Sequence, residues 1–412
     1  MKDSGISWVG EIPKEWSVNR AKYCFANTKE IAGCRSDRYE RLALTMNGVI
    51  KRSKDDSNGL QPEKFETYQI LRPDELVFKL IDLQNVSTSR VGLSPYLGLV
   101  SPAYIILKSN KRVLPAFAEK YFLMLWKNQI FNALGDAGVR SNLNSKDLLE
   151  LSIPFPSLVE QQRIAEFLDR ACGKIDGLKA DIQAQIDTLE QYKRSVITEA
   201  VTHGLNPSAP MKDSGIPWVG KTPEYWKVGR IGGLYELRNQ KVSDKDFMPL
   251  SVTMKGILPQ LETAAKTNDG DNRKLVRVGD FAINSRSDRR GSCGISDYDG
   301  SVSLINTILK PRNRMNAKYY NWLFHTPMFA DEFYKWGHGI VDDLWTTNWS
   351  EMKRISIPLP PLDEQQEIAD YLDNKCAEIE QIIADKKTQI ETLDGYKKSL
   401  IYEYVTGKKE VV

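Results

Sequence analysis

Ser152-Ile153-Pro154-Phe155-Pro156, with Glu160-Gln161-Gln162 and Ile164-Ala165 after it, returns 204 residues later as Ser356-Ile357-Pro358-Leu359-Pro360, Glu364-Gln365-Gln366 and Ile368-Ala369. Each copy opens a long stretch of helical period. Ile164, Leu168, Ala171, Ile175, Leu178 and Ile182 step by four and three residues, and Ile186, Leu189 and Val196 continue after a stutter. Ile368, Leu372, Cys376, Ile379, Ile383, Ile390, Leu393 and Leu400 make a similar stripe in the second copy. Neither stretch contains proline, whereas the Ile-Pro-x-Pro segment before each is an extended lead-in that cannot be helix interior. Some 40 residues at about 1.5 Å each make a rod of roughly 60 Å. A narrow apolar stripe of that length needs a partner, and the other copy is at hand. Two copies related by a two-fold axis would run antiparallel as a coiled coil.

Outward from these rods, the repeat covers the chain. Met1-Lys2-Asp3-Ser4-Gly5-Ile6-Ser7-Trp8-Val9-Gly10 returns as Met211-Lys212-Asp213-Ser214-Gly215-Ile216-Pro217-Trp218-Val219-Gly220, with only Ser7 changed. Between the blocks, similarity thins to islands such as Leu44-Thr45-Met46 with Gly48 against Val252-Thr253-Met254 with Gly256. The pattern predicts two copies of one scaffold, free to diverge in what they contact. The expected organisation is α+β, an internal pseudo-two-fold repeat of mixed domains at 1–158 and 211–361. They alternate with helical spacers at 159–204 and 362–407, a linker at 205–210 and a tail at 408–412. Trp8, Trp16, Trp218 and Trp226, at equivalent places, are expected to anchor cores rather than stack on bases.

With 412 residues, 27% of them charged and 41% hydrophobic, a soluble multidomain protein is expected. The five cysteines form no C-x-x-C pair, and no apolar run approaches a membrane span or a signal-peptide core, so a cytoplasmic protein without a membrane role is expected. The net charge of +3 is uninformative until the chain is divided. Residues 1–158 and 211–361 each hold 22 basic and 17 acidic side chains, +5 apiece, whereas 159–203 carry −2 and 362–407 carry −6. Two cationic modules joined by anionic rods would grip a polyanion at separated points.

Ile283-Asn284-Ser285-Arg286-Ser287-Asp288-Arg289-Arg290-Gly291-Ser292 clusters arginines among small polar residues after a strand-like stretch. Arg can bridge guanine O6 and N7, and Asn can do the same for adenine. Asn284, Arg286, Arg289 and Arg290 are therefore the candidate DNA contacts of the second module. In the first, Lys79 and Arg90 bracket the matching region, and Arg140 and Asn142 lie in the loop Gly138–Asn144; Lys51–Lys54 ranks behind as ordinary surface.

Reaction chemistry is missing. Gly215-Ile216-Pro217-Trp218-Val219-Gly220-Lys221-Thr222 spells a P-loop, but prolines flank it where a strand and a helix N-terminus should stand. His203, His325 and His338 are too dispersed for a triad or a metal cluster. Ser101-Pro102-Ala103-Tyr104 faintly echoes an adenine methyltransferase tetrapeptide, yet no Gly-rich loop accompanies it to hold a methyl donor. A non-catalytic chain without metal or cofactor is expected.

The doubled opening, the doubled Ile-Pro-x-Pro…Glu-Gln-Gln…Ile-Ala entry and the variable filling resemble the specificity subunit of type I restriction–modification enzymes, as do Gly92-Leu93-Ser94-Pro95-Tyr96 and Ser101-Pro102-Ala103-Tyr104. The resemblance implies two target recognition domains reading the halves of a split site in double-stranded DNA. It also implies helices that set the gap and dock two modification (methyltransferase) subunits, with restriction (endonuclease and translocase) subunits joining the complex. Methyl donor and ATP chemistry would belong to those partners. The alternative is a non-catalytic coiled-coil adaptor for protein partners, which would show no preference among duplexes. Lys221→Ala should leave nucleotide binding, followed by equilibrium dialysis of ATP, indistinguishable from that of the unaltered chain.

Overall fold

The apolar periods starting at Ile164 and Ile368 build two long helices, Leu158–His203 and Leu362–Val405. The structure, a computed structural model, describes residues 1–411 apart from 47, 57–63, 82, 84–88, 135–141, 261–269, 287–288, 313–314 and 340–344. It divides into two α+β units, Met1–Ile182 with Lys387–Val412, and Gln183–Lys386. Each unit therefore holds one globular module and one end of both helices.

Within each unit the two helices pack antiparallel. In the first, the Phe167 and Tyr404 rings lie 4.4 Å apart, Asp176 pairs with Lys397 at 2.7 Å and Lys179 with Asp394 at 2.5 Å. In the second, Lys193 pairs with Glu380, and Lys386 Nζ donates to Gln185 Oε1 at 2.6 Å. The seam differs from the apolar stripe by admitting lysines. Leu178 is 54% exposed, and half-buried Lys179 takes the inward place, giving Ile175, Lys179, Ile182, Ile186, Leu189, Lys193 and Val196. The facing seam likewise admits Lys386 and Lys397. A lysine stem covers apolar surface while its ammonium reaches a partner across the pair. Such polar insertions favour one register and orientation over others.

Each module rests on its helix through the repeated block. Ser17–Arg20 pairs antiparallel with Ser152–Phe155, and Lys227–Arg230 with Ser356–Leu359, so the Ile-Pro segments are strands of two-stranded sheets where a missing N–H is tolerated. One turn into each helix, the repeated Glu-Gln clamps the module. Gln161 Oε1 accepts from Leu114 N at 2.8 Å and its Nε2 donates to Pro156 O at 3.0 Å; Gln365 repeats this with Asn316 N and Pro360 O, both at 2.8 Å. Both amides are buried. Trp16 Nε1 donates to Glu160 and Trp226 Nε1 to Glu364, each at 2.9 Å. Trp16 and Trp226 are buried, as expected of core anchors.

The doubled opening forms matched hairpins, Lys2–Asp3 with Glu11–Ile12 and Met211–Ile216 with Gly220–Pro223. Their turns need backbone that only glycine adopts freely: Gly5 and Gly215 both have φ of +69°. The P-loop-like string is thus a β-hairpin, with Lys221 in its return strand and no helix start beside it. The helices end on these hairpins. Gly204 and Gly407 have φ of +76° and +68°, and a Cβ would run into Glu364 Oε1 and crowd Trp226 at Gly204, or run into Pro13 and crowd Trp16 at Gly407.

Both modules share a sheet order. Phe25–Asn27, Ile105–Ser109, Leu76–Phe78 and Val91–Leu93 lie side by side in the first; Tyr235–Arg238, Asn306–Pro311, Phe281–Asn284 and Cys293–Ile295 in the second. The island around Met46 and Met254 is a tight hairpin in each, where Thr45 Oγ1 donates to Gly48 O and Thr253 Oγ1 to Gly256 O. The first module's core gathers Phe78, Phe117 and Phe122 against Ile164 and Leu168; the second gathers Phe281, Phe324 and Tyr320 against Ile368 and Leu372. Truncating a clamp amide leaves a buried N–H and carbonyl without partners, so Gln161→Ala or Gln365→Ala should each destabilise its own unit by about 1–3 kcal/mol. Urea unfolding followed by tryptophan fluorescence checks this.

Candidate nucleic-acid interface

The central strand Phe281–Asn284 carries the candidate loop of the second module. Beneath it, Arg238 grips Asp280 in a fork, Nε to Oδ2 at 2.5 Å and Nη2 to Oδ1 at 3.0 Å, while Asp280 also accepts from Arg277 N at 2.9 Å. The loop opens and closes on itself: Asn284 N donates to Ser292 O at 2.9 Å, Ser292 N to Arg289 O at 3.0 Å, and Arg286 N to Asn284 Oδ1 at 3.0 Å. Asn284 is buried, so its amide oxygen shapes the turn, while Arg286, Arg289 and Arg290 stand exposed at the strand's end. Gly291, at φ +72°, turns the chain back.

A second limb supports this loop. Thr347 N donates to Ser285 O at 3.0 Å, and Arg286 bridges to Thr346 as a short antiparallel pair. The Arg290 guanidinium lies 4.1 Å above the Tyr334 ring, and its Nη1 is 3.2 Å from Asp331 Oδ1.

The first module has the same frame. Lys79 N donates to Arg90 O at 3.0 Å where Asn284 meets Ser292, and Leu143 N donates to Leu80 O at 3.0 Å where Thr347 meets Ser285. The structure thus brings Lys79, Arg90 and Asn142 to one strand end. Lys79 is half-buried and Asn142 exposed, whereas Arg90 is fully enclosed and offers the surface nothing of its side chain. Arg140 lies outside the described residues. The weaker stretch pairs its charges locally, Lys51 with Glu40 and Arg52 with Asp56, both at 2.6 Å.

Sequence reasoning missed the limb Trp345–Thr347 and its anchor Tyr334. Ser141-Asn142-Leu143 and Trp345-Thr346-Thr347 share no residue, so the repeat gave no letter match there; the signal was Asn144 aligned with Asn348, both N-caps of the helices that follow. Electrostatics in the site serve holding rather than reaction. The Val278 N–H and then Arg277 keep the Asp299 carboxyl below its ordinary range, and burial pushes the Cys293 thiol up beside His325. Among the described residues no group of three His, Cys, Asp or Glu could hold a metal, and no helix is long and apolar enough to cross a membrane.

The family model for the type I restriction modification DNA specificity domain matches residues 55–188 and 223–392. A putative type I restriction enzyme MjaX specificity subunit of Methanocaldococcus jannaschii is 23% identical, over 98% of this chain and 96% of its own length. The type I restriction enzyme EcoKI specificity subunit of Escherichia coli K12 is 20% identical, over 85% of this chain and 81% of its own. Among solved structures, a chain from work on complex assembly and conformational transition of the type I R-M system superposes with a TM-score of 0.70 at 14% identity, covering 97% of this chain and 100% of that one. The HsdS subunit from Thermoanaerobacter tengcongensis gives 0.51 at 15% identity, over 97% and 98%. Because Asp280 is almost fully buried, Asp280→Ala should leave a half-enclosed Arg238 without its fork and destabilise the second unit by about 3 kcal/mol. Urea unfolding of the variant measures it.

Proposed function

The chain belongs to the type I restriction modification DNA specificity family, as a non-catalytic subunit that confers DNA sequence specificity, and on that premise we propose that it reads a two-part target, one module to each half. The observation that carries this reading is that the family model matches both halves of the chain separately. Residues 1–158 and 211–361 are then the target recognition domains, and 159–204 and 362–407 are helical spacers forming an antiparallel coiled coil with pseudo-two-fold symmetry. Phosphates are drawn by +5 on each module and repelled by the acidic rods. Bases are read at the strand ends from Lys79 and Asn142 in the first module, with Arg140 a further candidate, and from Arg286 and Arg289 in the second, while enclosed Arg90 and buried Asn284 shape the frame instead. Equal placement of those strand ends in the two modules, with unlike side chains on them, suits two different half-sites.

Double-stranded DNA is the first partner. Two modification subunits dock along the helices, and restriction subunits join through that complex; methyl donor and ATP are theirs, and this chain binds neither. The cytoplasm, where such DNA lies, is its place of action. DNA backbones are dyad-symmetric, so modules related by a two-fold engage one duplex alike, and helix length sets the gap between half-sites.

Co-expression with candidate modification subunits and genome-wide mapping of methylated adenines tests the reading directly: a split motif of fixed gap is expected, and methylation without such a motif would overturn it. Removing one full heptad from both helices should shorten the preferred gap while leaving both half-sites unchanged, which the same mapping reads out.

A further inference from the structure

The three arginines of the second module's loop are not equivalent. Arg286 and Arg289 stand on the exposed turn, but the Arg290 guanidinium has one face over Tyr334 at 4.1 Å and an edge on Asp331 at 3.2 Å. Tyr334 is itself held. Its ring stacks on Trp345 with centroids 5.7 Å apart and planes 30° off parallel, and Trp345 Nε1 donates to Tyr334 O at 2.8 Å. Gly337 leaves room for that indole, since a Cβ there would run into it. Thr347 Oγ1 then ties the limb to Phe333 O at 2.8 Å, and Arg286 bridges to Thr346 beside it. The cavity among these rings encloses about 20 Å³, room for a single water and far too little for a nucleobase. The aromatic group is therefore scaffolding, not a pocket for an extruded base.

We propose that Arg290 is a positioning residue, whose stack on Tyr334 and pair with Asp331 lock the loop against the Trp345–Thr347 limb and so place Arg286 to discriminate bases in one half-site. The proposal rests on the DNA reading above and deepens it by assigning unlike roles to neighbouring cations. A guanidinium spent on a ring face and a carboxylate adds little to phosphate attraction, because Asp331 already offsets its charge. The ion pair by itself is weak, since Arg290 and Asp331 side chains are 49% and 61% exposed. The stack supplies the geometry, and a lysine, which is not planar, cannot reproduce it.

The test uses the full chain assembled with its modification subunits and a panel of duplexes in which each base pair of the target is varied singly. Arg286→Ala should flatten preference at one base pair, and Arg290→Lys and Tyr334→Leu should flatten it at that same pair by about five-fold, the scale of a guanidinium–aromatic contact. Tyr334→Phe should retain full preference, and the other half-site should be read as before in every variant, which also shows that the chain remains folded. Flattening at a different base pair by Arg290→Lys would mean that Arg290 itself reads DNA, and an unaltered preference in Tyr334→Leu would remove the clamp; either result overturns the proposal. Equal weakening for all duplexes would overturn it too, as the mark of a phosphate contact. If the unaltered complex preferred no sequence at all, the DNA reading would fall, and the proposal with it.

Discussion

A buried amide at the start of each long helix is the constraint on which the arrangement rests. Gln161 and Gln365 each satisfy a backbone N–H of the module above and a carbonyl of the strand behind, in places with little access to water. Neither group would find another partner if the helix slid or rotated, and an unpaired buried polar group is expensive. The indole bonds of Trp16 to Glu160 and of Trp226 to Glu364 add a second point of attachment. Two points fix a direction. Each module is therefore oriented relative to the helix that leaves it, and its four-stranded sheet inherits that orientation through the core that packs Phe78 with Ile164, or Phe281 with Ile368.

Above this fixed base the modules are free to differ. The hydrogen bonds at Lys79–Arg90 and Asn284–Ser292, and at Leu80–Leu143 and Ser285–Thr347, are backbone interactions, indifferent to the side chains they carry. A module can thus exchange Leu143 for Thr347, or a half-buried Lys79 for a buried Asn284, without losing the frame. That separation of scaffold from surface is what a recognition protein requires, because specificity changes by substitution while folding does not.

The helix pair shows the limit of apolar patterning. Leu178 fits the stripe and is exposed, while Lys179 sits inward and pairs with Asp394. Lys193 and Lys397, equivalent in the repeat, reach Glu380 and Asp176 in the same way within their own units. A count of hydrophobic residues passes over a long cationic side chain whose stem packs and whose head is neutralised by the neighbouring helix. Placing charge there costs stability, and each such pair favours the register in which its partner is in reach.

The repeat, the two long helices, the rejection of the P-loop-like string and the core role of the tryptophans were all legible in the sequence, because each depends on local patterns: proline before a helix, proline where a phosphate cradle needs a helix start, a period near 3.5. That the string forms a hairpin was decided by the structure. The arginine cluster at Arg286 to Arg290 was legible as well, since charge and composition are read directly. Tertiary structure decided the rest. That Arg90 is enclosed, that Asn284 turns its amide inward, that Arg290 is held by Tyr334 and Asp331, and that Thr347 props the loop all depend on contacts between segments distant in the chain. Spacing along a sequence carries no information about which of those segments will meet.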